Sequence, residues 1–232
     1  MRKRFVVGDI HGCIRTFRTL IEDIIRPSKT DLIYLLGDYI DRGPDSKAVI
    51  DFILDLQQKS FQVIPLMGNH EYMLIHARDS AHYFNLWMIN SGFTTLHDFG
   101  IMEDPLYNPE SLSLIPEKYH EFFRTLKLYE QSEGFFMTHG CFEGRKNNPL
   151  DDIDSMIWGR VESYNDAFLH GRVLIHGHTP APYTVIQKTI ENSQSKIINL
   201  DGGCIYANDR SLGYLLALEL DSRELFCVKN SG

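Results

Sequence analysis

Carboxylate, imidazole and amide side chains recur in five short segments of this sequence, and each segment also contains glycine. The segments are residues 8–12 (GDIHG), 37–43 (GDYIDRG), 68–71 (GNHE), 138–140 (THG) and 176–179 (HGHT). Oxygen and imidazole donors of this kind suit divalent ions such as manganese, iron or zinc, whereas a purely structural zinc site would more often use thiolates. The segments therefore predict a catalytic metal centre.

The number of candidate ligands indicates two ions rather than one. At least six Asp, Asn and His side chains are available in these segments, which is more than a single open catalytic ion needs. Two-ion hydrolases hold their ions roughly 3.5–4 Å apart, and a carboxylate has two oxygens with which to bridge them. Glycine beside each ligand lets the backbone turn sharply and lets a substrate approach closely.

The elements that must hold these segments are mostly short strands. Runs of aliphatic and β-branched residues predict strands at 4–7, 32–36, 63–67, 134–138, 173–176, 196–200, 214–220 and 225–229. Apolar residues at helical spacing predict helices over 16–25 and 46–58. The chain up to about residue 70 therefore forms a βαβαβ unit with a parallel sheet, and the last three strands resemble an antiparallel meander.

This pattern predicts an α/β fold with packed sheets inside and helices outside. We expect one domain over residues 1–232, with a helical cap segment at about 71–129. In an open parallel sheet, the carboxyl ends of the strands form the ligand crevice. Because the five segments follow such strand ends, their side chains should meet at one edge.

The order and spacing of the segments resemble the signature of the phosphoprotein phosphatase family, which belongs to the calcineurin-like metallophosphoesterases. The resemblance covers about residues 4–203 and points to the bacterial and phage type of serine/threonine protein phosphatase. It implies the calcineurin-like metallophosphoesterase fold, with two packed mixed β-sheets flanked by helices. It also implies two divalent ions, for which we favour Mn²⁺, with iron, zinc, nickel or cobalt as alternatives.

The resemblance also implies a role for each matching position. The metal ligands that it implies are Asp9, His11, Asp38, Asn69, His139 and His178. Asp38 would bridge the two ions, and a hydroxide shared by the ions would attack phosphorus. Arg42 and Arg160 would bind the phosphate oxygens, which Asn69 would also contact. A guanidinium group suits this task because it binds phosphate through a two-pronged fork.

His70 is the candidate general acid, and Asp41 is its carboxylate partner. A departing alkoxide is a strong base and needs a proton, which a neighbouring imidazole can supply. A buried carboxylate would raise the pKa of that imidazole and fix its ring. We expect Glu71 to orient its neighbours or cap the following helix, and residues 201–203 to form a supporting turn near the metals.

The motifs leave the substrate open. We favour a protein phosphatase that acts on phosphoserine and phosphothreonine, with phosphotyrosine as a further substrate; the alternatives are a symmetrical dinucleoside tetraphosphate hydrolase and a non-catalytic metal-binding regulatory module. The cap segment is rich in aromatic residues, which we interpret as core, although they could stack an adenine. They are Tyr72, Tyr83, Phe84, Trp87, Phe93, Phe99, Tyr107 and Tyr119.

The overall composition limits the classes of binding partner that we expect. The formal net charge is −8, and no basic footprint for duplex nucleic acid is visible. No apolar run approaches the roughly 18–20 residues that span a bilayer, and the basic start lacks the apolar segment of a signal peptide. We therefore expect a cytoplasmic monomer without membrane or duplex nucleic acid partners. The four cysteines are interpreted as buried thiols, with redox control through Cys13 or Cys141 as a hypothesis.

Overall fold

Nine strands form two β-sheets in the structure, a computed structural model that describes residues 2–101, 108–141, 148–160 and 163–231. Within these ranges the strands are β1 (Arg4–Val7), β2 (Leu32–Leu35), β3 (Gln62–Pro65), β4 (Tyr129–Ser132), β5 (Phe135–Thr138), β6 (Val173–His176), β7 (Ile197–Asn199), β8 (Tyr214–Glu219) and β9 (Leu225–Lys229). The first sheet has the order β3-β2-β1-β8-β9, and the second has the order β4-β5-β6-β7.

Both sheets are mixed, as the resemblance implied. β1 pairs in parallel with β2, and β2 pairs in parallel with β3, which confirms the predicted βαβαβ unit. β8 is antiparallel to both β1 and β9. In the second sheet β5, β6 and β7 are parallel, and β4 is antiparallel to β5.

The predicted antiparallel meander of the last three strands is wrong. β7 lies in the second sheet, parallel to β6, and only β8 and β9 form an antiparallel pair. The residues in and directly after β7 are mainly isoleucine and leucine, and such an apolar run is compatible with a strand in either sheet. Between β7 and β8 the chain crosses from the second sheet to the first.

Helices cover the outer faces and fill the cap segment. They are α1 (Ile14–Arg18), α2 (Ser46–Gln58), α3 (Asn69–Ala77), α4 (Ala81–Ile89), α5 (Gly92–Asp98), α6 (Glu117–Thr125), α7 (Ile153–Trp158), α8 (Asp166–Leu169) and α9 (Tyr183–Glu191). The helix predicted over 16–25 is α1 followed by a π-helical stretch, Thr19–Ile25, which ends at Arg26 in the left-handed region. None of the helices in the described ranges is long and apolar enough to cross a membrane.

The layers follow from the alternation of side chains along the central strands. Val7 and Leu35 point to one face of the first sheet and join the helical core with Phe17 and Ile53. Val6 points to the opposite face. It packs there on residues of the second sheet and of β8: Met137, Ile175, Ile198, Leu216 and Leu218. The outer face of the second sheet is covered by α7 and α8 through Met156 and Leu169. The two sheets therefore lie face to face, with helices on both outer sides.

Candidate metal centre

The ends of strands from both sheets deliver the predicted ligands to one buried place. Asp9 and His11 follow β1, and Asp38 follows β2. His139 follows β5, His178 follows β6, and Asn69 is the first residue of α3. All six of these side chains are at most 6% exposed. The arrangement joins the first sheet to the second at their shared edge.

Tight turns place several of these side chains in left-handed backbone conformations. His11, Asp38, Asp41, Arg42 and His178 have φ between 45° and 69°. Non-glycine residues rarely adopt this region, although Asn, Asp and His are enriched there, and such positions typically cost about 1–3 kcal/mol each. The backbone N–H groups of residues 10 and 11 both donate to the Asp38 carbonyl, at 3.1 and 2.8 Å. The first two loops are thus held against each other.

The Asp38 carboxylate faces a different group of donors with each oxygen. Its Oδ2 lies 3.3 Å from His11 Nε2, and its Oδ1 lies 3.4 Å from His139 Nε2. Two sets of three side chains have ligand atoms close enough to hold an ion: His11, Asp38 and His70, and Asp38, His139 and His178. Asp38 belongs to both sets, which is the position expected of a bridging carboxylate.

Asn69 and Asp9 complete the donor set. Asn69 Oδ1 lies 3.1 Å from His139 Nε2 and 2.9 Å from His178 Nδ1. Asp9 Oδ2 accepts a hydrogen bond from the backbone N–H of His178 at 3.0 Å. Asp9 Oδ1 is buried and has no hydrogen-bond partner among the described residues. Such an atom is costly to bury unless a cation or a donor satisfies it.

Burial keeps the three histidines neutral, as metal ligation requires. It lowers the pKa of His11 and that of His178 to about 3 each, and it also lowers the pKa of His139. Burial and the charges of Asp201 and Asp38 raise the pKa of Asp9. Buried carboxylates around neutral rings leave an excess of negative charge, and the donor set therefore fits two divalent ions that share Asp38.

His70 and Asp41 form a buried pair next to this donor set. His70 Nδ1 lies 2.6 Å from Asp41 Oδ2, and both side chains are fully buried. Burial alone would lower the pKa of His70, but the charge of Asp38 and the hydrogen bond with Asp41 outweigh it and raise that pKa. His70 Nε2 is buried, and no residue of the described ranges accepts a hydrogen bond from it.

The two arginines predicted to bind phosphate differ in their position. Arg42 is half-buried, and its Nη1 lies 3.1 Å from His11 Nε2, at the centre of the site. Arg160 is exposed. The charge of Arg160 lowers the pKa of His178, although burial, His139 and Asp38 have larger effects on it. Arg160 therefore lies on the side of the site that is formed by the second sheet.

Glu71 organises the loops rather than joining the ligands, as expected from the sequence. Its carboxylate accepts hydrogen bonds from the backbone N–H groups of Asp38, Tyr39, Ile40 and Gly68 at 2.8–3.2 Å. Burial and the charge of Asp38 raise its pKa to about 8, and the N–H donors partly offset this rise. Asp201, in the predicted supporting turn, accepts from Gly203 N at 2.8 Å, and burial raises its pKa to about 7.

Two further contacts of the site were not predicted from the sequence. Trp87 Nε1 and Thr95 Oγ1 both donate to the Asp41 carboxylate, at 2.8 and 2.5 Å. Trp87 carried only the general signal of an aromatic cap, and Thr95 carried none, because about fifty residues separate them from Asp41 in the chain. The interpretation of the four cysteines as buried thiols is confirmed for Cys13, Cys141 and Cys204 and is wrong for Cys227, which is exposed. Redox control through Cys13 or Cys141 stays a prediction.

A family profile described as calcineurin-like phosphoesterase matches residues 3–212. The chain belongs to the calcineurin-like phosphoesterase family. The family inferred from the five segments is thereby confirmed, and the buried donors described above occupy the strand ends of a calcineurin-like phosphoesterase.

Relatives of two kinds are similar to this calcineurin-like phosphoesterase. It is 41% identical over 71 residues to a symmetrical bis(5'-nucleosyl)-tetraphosphatase of Wigglesworthia glossinidia brevipalpis, a match that covers 31% of this chain and 25% of that protein. It is 39% identical over 97 residues to serine/threonine-protein phosphatase 1 of Salmonella typhimurium, covering 41% of this chain and 42% of that protein. The chain thus matches less than half of the length of these two relatives. For serine/threonine-protein phosphatase 2 of the same organism the identity is 27% over 161 residues, or 68% of both chains.

Solved structures of both kinds share the fold. A candidate diadenosine tetraphosphatase superposes with a TM-score of 0.67 at 17% identity, over 100% of this chain and 95% of that one. A protein serine/threonine phosphatase from Saccharomyces cerevisiae superposes with a TM-score of 0.65 at 14% identity, over 100% and 80%. At such low identity these similarities establish the calcineurin-like fold and nothing about the substrate.

Proposed function

We propose that this chain is a metal-dependent phosphomonoesterase that removes phosphate from phosphoserine and phosphothreonine side chains of proteins. The observation that carries the proposal is the Asp38 carboxylate, which is shared by two sets of buried donors and lies beside an imidazole and a guanidinium group. When bound, two divalent ions would neutralise the charge of the phosphate and lower the pKa of water.

The side chains around the donors have the chemistry that ester cleavage needs. Arg42 and Arg160 would hold the phosphate oxygens, with Asn69 beside them. As an oxygen supplied by water bonds to phosphorus, the bond between phosphorus and the leaving oxygen breaks, and the leaving oxygen keeps the electron pair and takes the proton of His70 Nε2. Asp41 keeps the His70 ring oriented for this transfer. A serine alkoxide is a poor leaving group, so this proton should matter most for phosphoserine and phosphothreonine.

Two observations support a protein substrate. The match to serine/threonine-protein phosphatase 2 extends over 68% of the chain, whereas the match to the Wigglesworthia tetraphosphatase extends over 31%. Within the cap, Phe84, Trp87 and Tyr119 are buried and belong to the core. Tyr107 lies outside the described residues. Phe93, which we also interpreted as core, is instead 46% exposed. Fewer aromatic side chains than the sequence offered are therefore exposed to stack a nucleobase.

Hydrolysis of a dinucleoside tetraphosphate is the second candidate function. The identities of 41% and 40% to tetraphosphatases over 71 and 72 residues favour it. Tyr72 and Tyr83 are half-buried, with ring centroids 5.7 Å apart. A half-exposed aromatic pair of this kind can contact a planar base.

One set of assays separates these functions. Manganese-loaded protein is incubated with a phosphoserine peptide, a phosphotyrosine peptide and diadenosine tetraphosphate, and its metal content is measured in the same preparation. We expect the highest kcat/KM on the phosphoserine peptide and none for Asp38→Asn. A dominant rate on diadenosine tetraphosphate would replace the first proposal with the second. Bound metal with no turnover of any substrate would instead indicate a non-catalytic metal-binding module.

A further inference from the structure

The Asp41 carboxylate is held on both oxygens by residues of the cap. Its Oδ2 accepts from His70 Nδ1 at 2.6 Å and from Trp87 Nε1 at 2.8 Å. Its Oδ1 accepts from Thr95 Oγ1 at 2.5 Å, and the same hydroxyl accepts the backbone N–H of Asp41 at 3.1 Å. All four residues are fully buried. A buried carboxylate is retained only where donors satisfy it, and here three side chains do so.

These contacts join the loop after β2 to three helices that follow later in the sequence. Asp41 lies in the loop after β2, His70 lies in the first turn of α3, and Trp87 and Thr95 come from α4 and α5. If either cap donor were absent, the carboxylate could rotate about its Cβ–Cγ bond and offer His70 a different oxygen. The direction in which His70 Nε2 points would then be less well defined. A misplacement of only about 1 Å can reduce turnover on the order of 100-fold.

We propose that Trp87 and Thr95 are positioning residues for protonation of the leaving group, because they fix both oxygens of Asp41 and thereby the ring of His70. This inference rests on the proposed phosphoesterase function. The two cap residues do not contact the substrate; they act through Asp41. In the step itself, the oxygen of a water molecule that has lost a proton to solvent forms a bond to phosphorus as the P–O bond to the leaving group breaks. The leaving oxygen takes the electron pair of the broken bond and the Nε2 proton of His70.

The packing of the indole agrees with a fixed position for Trp87. A Cβ added to Gly92 would lie 2.4 Å from Trp87 Cδ2, so this glycine allows the indole to lie directly on the backbone of α5. Gly92→Ala would therefore displace the indole while leaving its N–H intact. A Trp87 that served only as core would need some acceptor for Nε1, but it would not need the oxygen that His70 also uses.

A competing interpretation makes His70 a metal ligand. His70 belongs to one of the two sets that could hold an ion, with His11 and Asp38, and carboxylates often orient metal-bound histidines. In that case, loosening Asp41 would lower metal affinity and reduce the turnover of every substrate equally. In our proposal, metal content is unchanged and the loss depends on the leaving group.

The test compares Trp87→Phe, Thr95→Val and Thr95→Ser with the wild type. Thr95→Val removes the hydroxyl at nearly constant volume, and Thr95→Ser restores it. The matched control is Tyr119→Phe, which removes a hydroxyl that bonds Asp51 at 2.9 Å elsewhere in the cap. Each protein is loaded with manganese, its metal content is measured, and kcat is determined on a phosphoserine peptide and on 4-nitrophenyl phosphate.

We expect Trp87→Phe and Thr95→Val to lose about 10–100-fold in kcat on the phosphoserine peptide, which is part of the roughly 100–10,000-fold that general acid catalysis contributes, and to change little on 4-nitrophenyl phosphate. Thr95→Ser and Tyr119→Phe should behave like the wild type, and all metal contents should agree. Equal losses on both substrates, or a loss of metal, would overturn the proposal. Should Trp87→Phe fail to fold, the Thr95 pair alone decides.

A second measurement separates this inference from the proposed function. The Nδ1 proton of His70 should give a downfield NMR signal in the metal-free protein because it is held by Asp41, and Thr95→Val should shift or broaden it. A wild type without phosphoesterase activity would contradict the proposed function, whatever the NMR result. An active wild type whose His70 signal and leaving-group preference are unchanged in Thr95→Val would contradict only the positioning role.

Discussion

At the scale of a single residue, Asp38 is the side chain shared by both sets of candidate ligands. Its two oxygens face His11 and His139, which follow strands of different sheets. Asp9 approaches the same place, and the charge of Asp38 contributes to raising the pKa of Asp9. A substitution that removes the charge of Asp38 should therefore weaken ion binding at both positions. A substitution of a ligand that serves one position should weaken ion binding at that position alone.

Metal content tests this difference directly. Protein loaded with manganese should hold about two ions per chain. We expect Asp38→Asn to retain less than one, because both sets lose their shared carboxylate, and His139→Asn to retain about one. Elemental analysis after removal of loosely bound metal gives the numbers. Equal metal content in the two variants would show that Asp38 does not bridge.

His70 provides a second prediction at the same scale. We expect His70→Asn to reduce kcat on a phosphoserine peptide by roughly 100-fold or more, as general acid catalysis contributes that much. The reduction on 4-nitrophenyl phosphate should be much smaller, because 4-nitrophenolate leaves without a proton. Steady-state kinetics on both substrates measure the ratio. Equal losses would contradict the general-acid role.

At the scale of elements, Glu71 joins the start of α3 to the loop after β2. One carboxylate accepts four backbone N–H groups, three of them from residues 38–40. The loop that carries Asp38 and Asp41 is therefore fixed by a helix that carries Asn69 and His70. A change at Glu71 should loosen both segments without removing any metal ligand.

We expect Glu71→Ala to lower the free energy of unfolding by roughly 3 kcal/mol, since several buried N–H groups lose their acceptor. Glu71→Gln should have a smaller effect because its amide oxygen still accepts. Urea unfolding of the metal-free protein measures both. The control is Glu121→Ala, which removes an exposed carboxylate from α6. Similar stability of Glu71→Ala and Glu121→Ala would contradict this role.

The sequence predicts elements best where one face is buried. β1, β6, β9 and α2 begin and end at the predicted residues, because their apolar patterns stop at glycine, polar or capping residues. β4 was missed because Tyr129–Ser132 is mostly polar and lies at the edge of its sheet. The meeting of the candidate ligand side chains at one place was predictable because their segments follow strands that end at the same edge. The Trp87 and Thr95 contacts were not, because they depend on how α4 and α5 pack over Asp41.

At the scale of the whole molecule, buried acids make stability depend on pH and on metal. The pKa of Asp201 is raised to about 7 and that of Glu71 to about 8. Between about pH 6.5 and pH 7–8, where His11 and His178 are neutral in both the folded and the unfolded state, these two acids make the metal-free protein bind more protons when folded than when unfolded. Its stability should fall as the pH rises through this window. Divalent ions favour the deprotonated acids, so their stabilising effect should grow over the same range.

Thermal unfolding with manganese and with a chelator tests this dependence. At pH 8 and an ion concentration of about 100 Kd, each bound ion should add roughly 2.7 kcal/mol, which is a rise in Tm of about 5–10 °C per ion. The difference should be smaller at pH 5.5. Asp38→Asn should show little rise at either pH. A rise in Tm that is the same at both pH values would contradict the link between ion binding and these acids.

The donors come from both sheets, and this has a consequence for the order in which the protein folds and binds ions. Asp9 and His178 lie 169 residues apart in the chain, and His139 and His178 join the centre only after the second sheet has docked on the first. A nascent chain whose β6 segment has not yet left the ribosome contains only part of the donor set. Ion uptake should therefore follow folding rather than guide it, and a filled centre would mark a chain whose two sheets have already come together.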